Sequence, residues 1–213
     1  MTPMPTTYSY KTVKCESSAE FTERKSEFIG WVKPVYTEQD ALDFISTVRS
    51  LHPSASHNAY AYIIRDTNIT RVSDDGEPSS TAGMPILNIL QKQELTNIVA
   101  VVTRYFGGIM LGAGGLVRAY SQAARMAVDA AGTTLYESFT EFDVVCSYAD
   151  YEKLIKFIKS EEIILDATGF EDSVTLSLAT KHDNYDNISE KIIDMTNARA
   201  VIGKKSERFD FFS

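Results

Sequence analysis

The chain has 213 residues, 44% of them hydrophobic, which is enough to fill the cores of one large domain or two small ones. Its net charge is −8, and residues 137–213 hold 9 Lys and Arg against 16 Asp and Glu, whereas residues 1–136 hold 12 against 13. The sequence has no apolar run of membrane-span length and no signal-peptide core, and its acidic second part excludes nucleic-acid binding there by bulk charge.

The first half of the chain is predicted to form strands and one amphipathic helix. The predicted strands are Tyr8–Cys15, Ser26–Tyr36 and His57–Ile64. Between the second and third strands, Thr37 and Asp40 are spaced as in a capping box. The helix that they begin has a buried stripe made of Ala41, Phe44, Ile45 and Val48.

The segment from Ser73 to Gly83 has no periodicity and carries three carboxylates, those of Asp74, Asp75 and Glu77. Two interpretations stay open: a solvated loop, and a polar site beside the glycine turn described below. The carboxylate spacing does not fit a calcium loop, so no metal is predicted. A short helix over Met84–Gln93 follows, with a proline in its first turn.

The next segment is the most unusual part of the sequence. An apolar run, Ile98–Val102, is followed by Thr103-Arg104-Tyr105-Phe106, a glycine-rich turn and a helix from about Ala113 to Ala131. Five of the eleven glycines fall within nine residues: Gly107, Gly108, Gly112, Gly114 and Gly115. Because a strand, turn and helix in this order present free backbone N–H groups to an anion, we predict a phosphate site. Its predicted ligands are Arg104, Tyr105, these five glycines and Arg118.

Two familiar nucleotide motifs are absent from this turn. Gly107-x4-Gly112 is followed by Ala113-Gly114 instead of the Lys and Ser or Thr of a Walker loop. A dinucleotide fingerprint would need a third glycine where Val117 stands. For Gly114 and Gly115, close packing of the helix on its strand is an equally good interpretation.

Beyond Gly132–Ser138 the pattern changes to strand, helix, strand, strand, helix and strand. The predicted elements are Phe139–Tyr148, Asp150–Lys159, Glu162–Ala167, Asp172–Thr180, Tyr185–Asn197 and Lys204–Phe211. This order is that of a ferredoxin-like domain. We therefore predict an α+β protein with domains at 1–136 and 137–213, and a solvated face for Lys153, Lys156 and Lys159.

Several of these motifs together resemble the signature of the IMPACT family, in its bacterial YigZ-type branch. The matching stretches are His57-Asn-Ala-Tyr-Ala-Tyr62, Ser73-Asp-Asp-Gly-Glu-Pro78, Thr81-Ala-Gly83, Gly83-Met-Pro-Ile-Leu87, Val101-Val102, Arg104-Tyr-Phe-Gly-Gly108, Leu111-Gly112, Gly114-Gly-Leu-Val117 and Ala119-Tyr120. The resemblance spans essentially the whole chain. It implies an N-terminal domain of the type shared by a ribosomal small-subunit protein and domain IV of elongation factor G. The second domain would then resemble domain V of that factor. The partner-binding domain of eukaryotic members has no counterpart here, so that partnership is not carried over.

Two functions of different classes remain open. The first is a non-enzymatic, translation- or RNA/ribosome-associated regulatory protein that binds phosphate-rich ligands through the N-terminal domain, without a cofactor. The second is an enzyme acting on a nucleotide or small phosphorylated substrate. Leu111-Gly-Ala-Gly-Gly115 distantly resembles the loop of a small-molecule kinase family, and His57 with Asp74 or Asp75 and Ser79 would fit a hydrolase. His57, Asp74, Asp75 and Glu77 are thus the catalytic candidates.

The cellular setting is predicted from cysteine usage. Cys15 and Cys146 are far apart and have no metal-ligand spacing, which is typical of a reduced, cytoplasmic protein. The expected partners are RNA or the translation machinery, or a phosphate-containing small molecule, and not a membrane.

Overall fold

The computed structural model of the chain describes residues 9–210. Tyr8 and Phe211, at the outer ends of the first and last predicted strands, lie outside these residues. The structure divides into two compact units, residues 10–135 and the described residues from Tyr136 onward. They are called the N-terminal and C-terminal units below. No helix within residues 9–210 is long and apolar enough to cross a membrane.

The N-terminal unit contains a five-stranded sheet and three helices. Its elements are β1 Ser9–Val13, β2 Ser17–Glu23, β3 Ser26–Pro34, α1 Glu38–Leu51, β4 His57–Ile64, β5 Ile69–Ser73, α2 Gly83–Lys92, β6 Ile98–Tyr105 and α3 Ala113–Ala131. The sheet has the order β2-β3-β6-β4-β5, and every neighbouring pair is antiparallel. The capping box on α1 is present, with the Thr37 hydroxyl accepting from the Asp40 N–H.

Two of these strands, β2 and β5, were not predicted from the sequence. Both are edge strands, so only one side of each is paired. Neither strand contains a fully buried residue. Without a strongly apolar face they lack the alternation that identifies a half-buried strand.

The central strand β6 separates two hydrophobic cores. Ile98, Ala100 and Val102 face the core that α2 and α3 cover, whereas Val99 and Val101 face the core that α1 covers. Side chains alternate between the two faces of a strand, so consecutive β6 residues belong to different cores. A Cβ on Gly30 of β3 would collide with the Ala123 carbonyl of α3, which shows how closely α3 packs on the sheet.

The elements of the C-terminal unit are β7 Thr133–Cys146, α4 Tyr148–Ser160, β8 Ile163–Phe170, β9 Val174–Lys181, α5 Tyr185–Met195 and β10 Val201–Asp210. The strands β10, β7, β9 and β8 are hydrogen-bonded neighbours in that order, and each of these pairs is antiparallel. Leu154 and Ile158 of α4 and Ile188 and Ile192 of α5 pack on Phe142 of the sheet. The strand order and element sequence confirm the ferredoxin-like prediction.

Candidate functional site

The acidic loop, the end of β6 and the start of α3 enclose one cleft in the N-terminal unit. It has a volume of about 440 Å³, within the range of small-ligand sites. The side chains that line it include His57, Glu77, Arg104, Phe106, Met110 and Leu116. The histidine, the acidic loop and the glycine turn, distant in sequence, therefore share one cavity.

The floor of the cleft is a buried ion pair. Arg104 Nη1 donates to Glu77 Oε1 at 2.5 Å, and the two side chains are only 7% and 3% exposed. The Tyr120 hydroxyl donates to the same oxygen at 2.8 Å. Burial and the neighbouring Glu77 charge raise the pKa of Tyr120, which keeps its hydroxyl a donor. The charge of Arg104 is thus already compensated within the protein.

Three polar positions on this floor are not fully used. Arg104 Nε is buried without a hydrogen-bond partner. Arg104 Nη2 and Glu77 Oε2 have no hydrogen bond to any residue in the range 9–210, and both residues line the cleft. An occupant of the cleft can therefore receive a hydrogen bond from the arginine and donate one to the glutamate.

His57 stands beside this floor with a defined tautomer. Its Nδ1 lies 2.8 Å from the Asp75 carbonyl oxygen. A carbonyl oxygen can only accept, so Nδ1 carries the proton of the neutral ring and Nε2 has the lone pair. Nε2 is 3.9 Å from Glu77 Oε1. His57 therefore both holds the acidic loop and lines the cleft.

The other two loop carboxylates are engaged in holding the loop. Asp74 accepts from the backbone N–H groups of Ser80, Ala82 and Gly83 at 2.8–3.0 Å. Burial alone would raise its pKa, but these three donors outweigh burial and lower it. Asp75 accepts from Arg49 Nη2 at 2.6 Å and from the Asn58 N–H at 2.7 Å. Of the three acidic side chains, only Glu77 lines the cleft.

The glycines of the turn have different roles. A Cβ on Gly107 would collide with the Lys25 carbonyl, and the Gly107 N–H donates to Ser26 Oγ. Gly112 has φ +71° and precedes the first residue of α3, while Gly108 has φ +82°. Gly112 and Ala113 line the cleft, so the start of α3 borders it. Gly115 approaches Leu111, and Gly114 is exposed.

Tyr105 does not share this site. It follows Arg104 on β6, so its side chain lies on the opposite face of the sheet, where its hydroxyl is 2.8 Å from His52 Nδ1. Because successive side chains of a strand point to opposite faces, the sequence alone could have shown that Arg104 and Tyr105 do not share a site.

Arg118 lies in a neighbouring pocket of about 140 Å³, lined also by Phe21, Arg24 and Leu111. It is exposed, as are the cations nearby on the β2–β3 turn and on α3. We call Arg24, Lys25, Arg118 and Arg125 the cationic surface. In the part of the chain that the structure describes, the last three form no ion pair, and Arg24 has one long contact, 3.9 Å from Glu23.

Sequence reasoning missed three members of the cationic surface. Arg24 and Lys25 form a turn with backbone φ angles of 45° and 65°. This turn lies next to Gly107 in the folded chain although the two are far apart in sequence. Arg125 follows Arg118 by two helical turns, so helical periodicity alone could have placed it on the same face.

The contacts of His57 and the position of Ser79 do not match those expected of a hydrolase. His57 contacts a main-chain carbonyl rather than an aspartate carboxylate, and the exposed Ser79 does not line the cleft. Among residues 9–210, no group of three or more His, Cys, Asp or Glu side chains is placed to hold a metal ion.

Comparison with known proteins defines the class of this chain. Residues 24–128 match the Impact N-terminal domain, which contains the cleft and the cationic surface, and residues 144–199 match a domain of unknown function, DUF1949. The chain is 35% identical over 196 residues to the IMPACT family member YvyE of Bacillus subtilis, covering 92% of this chain and 90% of that protein. It is 38% identical over 128 residues to the IMPACT family member YigZ of Escherichia coli, covering 59% and 63%.

The chain therefore belongs to the IMPACT family, and both bacterial-type domains are present. The structure is similar to the crystal structure of a hypothetical protein, with a TM-score of 0.60 and 28% sequence identity. The alignment covers 93% of this chain and 98% of the other.

Proposed function

We propose that the chain is a non-enzymatic, cytoplasmic protein of the translation machinery that binds RNA and contacts its phosphates through the cationic surface. The observation that carries this proposal is that Arg118, near the start of α3, is exposed and forms no ion pair with a described residue, and that Arg24 lines the same pocket. The first N–H groups of a helix have no intrahelical partner, and the helix dipole makes that end positive. Arg118 lies one turn inside that end.

Charge distribution also supports this assignment. The N-terminal domain is nearly neutral in total, yet Arg24 and Arg118 line one pocket, and Lys25 and Arg125 are exposed on the same turn and the same helix. Glu23 lines the same pocket as Arg118 and lies 3.9 Å from Arg24. Phosphate contacts of this kind are independent of base sequence and weaken with salt.

The experiment compares two charge reversals of equal size. Arg118→Glu and Lys156→Glu each replace an exposed helical cation, the first on the cationic surface and the second on α4. Fluorescence anisotropy with a short single-stranded RNA should show affinity falling about tenfold or more for Arg118→Glu, since a hydrogen bond to a charged group contributes about 1.5–3 kcal/mol. Lys156→Glu should leave affinity nearly unchanged. Equal losses in both variants would reject the cationic surface as the binding site.

A second candidate function is an enzyme acting on a nucleotide or small phosphorylated substrate in the cleft. The observation that favours it is His57, which lines the cleft and whose Nε2 carries the lone pair in the neutral ring, as a general base requires. Its test is phosphate release from nucleotides, which His57→Gln should abolish. Turnover that persists in His57→Gln would remove this candidate.

A further inference from the structure

We infer that the cleft binds one unstacked nucleobase of the RNA strand, an inference that rests on the function proposed above. The charges on the floor of the cleft suit a neutral ligand. Arg104 and Glu77 neutralise each other, and each keeps one atom available: Nη2 as a donor and Oε2 as an acceptor. A phosphate would meet the Glu77 carboxylate as a like charge, so it is disfavoured here. The edge of a nucleobase, neutral and with donors beside acceptors, matches this floor.

The walls of the cleft offer a surface on which a base can stack. Phe106 is 50% exposed and Met110 is 85% exposed, and together with Leu116 they give the cleft an apolar side. The Arg104 guanidinium lies 5.3 Å from the centre of the Phe106 ring, which fixes that ring against the floor. Single-stranded RNA is commonly recognised by stacking a splayed base on an aromatic ring while its edge is hydrogen-bonded.

The cleft also lies next to the cationic surface. Leu111 lines both the cleft and the pocket that contains Arg118. Gly112 and Ala113, at the start of α3, also line the cleft. A base seated in the cleft therefore places its own backbone next to the helix end and the cationic surface. Base pocket and phosphate contacts then form one continuous site.

The experiment separates the base from the backbone. Binding is measured for a fully abasic ribose–phosphate strand and for four strands of equal length that carry one central base, A, G, C or U. We expect at least one single-base strand to bind about tenfold tighter than the abasic strand, because stacking of one base on an aromatic side chain supplies a gain of this size. Phe106→Ala should erase this gain and leave the affinity for the abasic strand unchanged.

Phe170→Ala is the matched control, since Phe170 is 56% exposed and lies in the C-terminal unit. It should retain the full gain. If the abasic strand binds but no single base adds affinity, the base pocket is refuted while the cationic surface stands. If none of the five strands binds, the proposed function itself is refuted, and the pocket inference with it.

Discussion

Arg104 and Arg118 belong to the same glycine-rich segment, yet the fold gives them opposite surroundings. Arg104 is buried, paired with Glu77 and adjacent to the Phe106 ring, whereas Arg118 is exposed and forms no ion pair with a described residue. A buried, compensated cation holds a structure in one geometry, while an exposed, uncompensated one is available to a ligand. Burial and pairing, rather than residue type or proximity in sequence, are therefore the grounds for proposing Arg118 and not Arg104 as a phosphate contact.

The largest effect that this comparison predicts is on stability. Arg104→Ala should destabilise the N-terminal unit by about 3–5 kcal/mol, because it leaves the buried Glu77 carboxylate without its partner. Urea unfolding followed by the fluorescence of Trp31, the single tryptophan and a residue of β3, measures this unit specifically.

Arg118→Ala is the control for that measurement and should change stability by no more than about 0.5 kcal/mol, as is usual for surface positions. The double variant Arg104→Ala with Glu77→Gln should regain part of the loss, because the unpaired charge is then removed. Equal stability of the Arg104→Ala and Arg118→Ala proteins would contradict the distinction between the two arginines.

The next effect tests the loop that supplies Glu77. Asp74→Asn should cost about 2–3 kcal/mol near neutral pH, since an ionised acceptor of three backbone N–H groups is replaced by a neutral one. Because the folded-state pKa of Asp74 is lowered, its contribution is present above the unfolded value of about 3.8 and disappears as pH falls through the folded value.

Chemical unfolding of the wild type and of Asp74→Asn at several pH values checks this sign. The gap in stability should be widest at neutral pH and close under acidic conditions. A gap that stays constant down to the most acidic pH at which both proteins fold would show that Asp74 does not act through its charge.

A smaller effect concerns the turn that joins the two arginines. Gly107→Ala should cost about 1–3 kcal/mol, because its Cβ would overlap the Lys25 carbonyl and push the β2–β3 turn away. Since that turn carries part of the cationic surface, RNA affinity should fall as well. Gly114→Ala, at an exposed helical position where a Cβ meets only the end of Arg118 at 3.7 Å, is the control and should not destabilise the fold. A Gly107→Ala protein as stable as the wild type would show that the turn tolerates a side chain there.

Elements that have one strongly apolar face were predicted correctly from the sequence. The strand His57–Ile64 has the predicted bounds, and α3 begins and ends within a residue of its predicted limits. The edge strands β2 and β5 were missed because neither has a buried face, and their backbones need a hydrogen-bonded neighbour on only one side. Such strands lack the apolar alternation by which a strand is predicted. The ferredoxin-like order followed from alternation and helical stripes alone.

The site was harder to predict because it depends on pairing across the fold. The sequence indicated that His57, Glu77 and the glycine turn carry the family motifs, but not that Glu77 lies opposite Arg104 or that Asp74 bonds to the start of α2. Arg24 and Lys25 reach the site only through the packing of their turn on Gly107. No local pattern in the sequence encodes such contacts.

The salt dependence of RNA binding tests most directly whether Arg118 contacts phosphate. For single-stranded RNA, each phosphate neutralised contributes about 0.7 to the slope of the logarithm of the binding constant against the logarithm of salt concentration. Arg118→Ala should therefore reduce the magnitude of the slope by about 0.7, whereas Lys156→Ala should leave it at the wild-type value. An unchanged slope for Arg118→Ala, or an equal reduction for Lys156→Ala, would contradict the account.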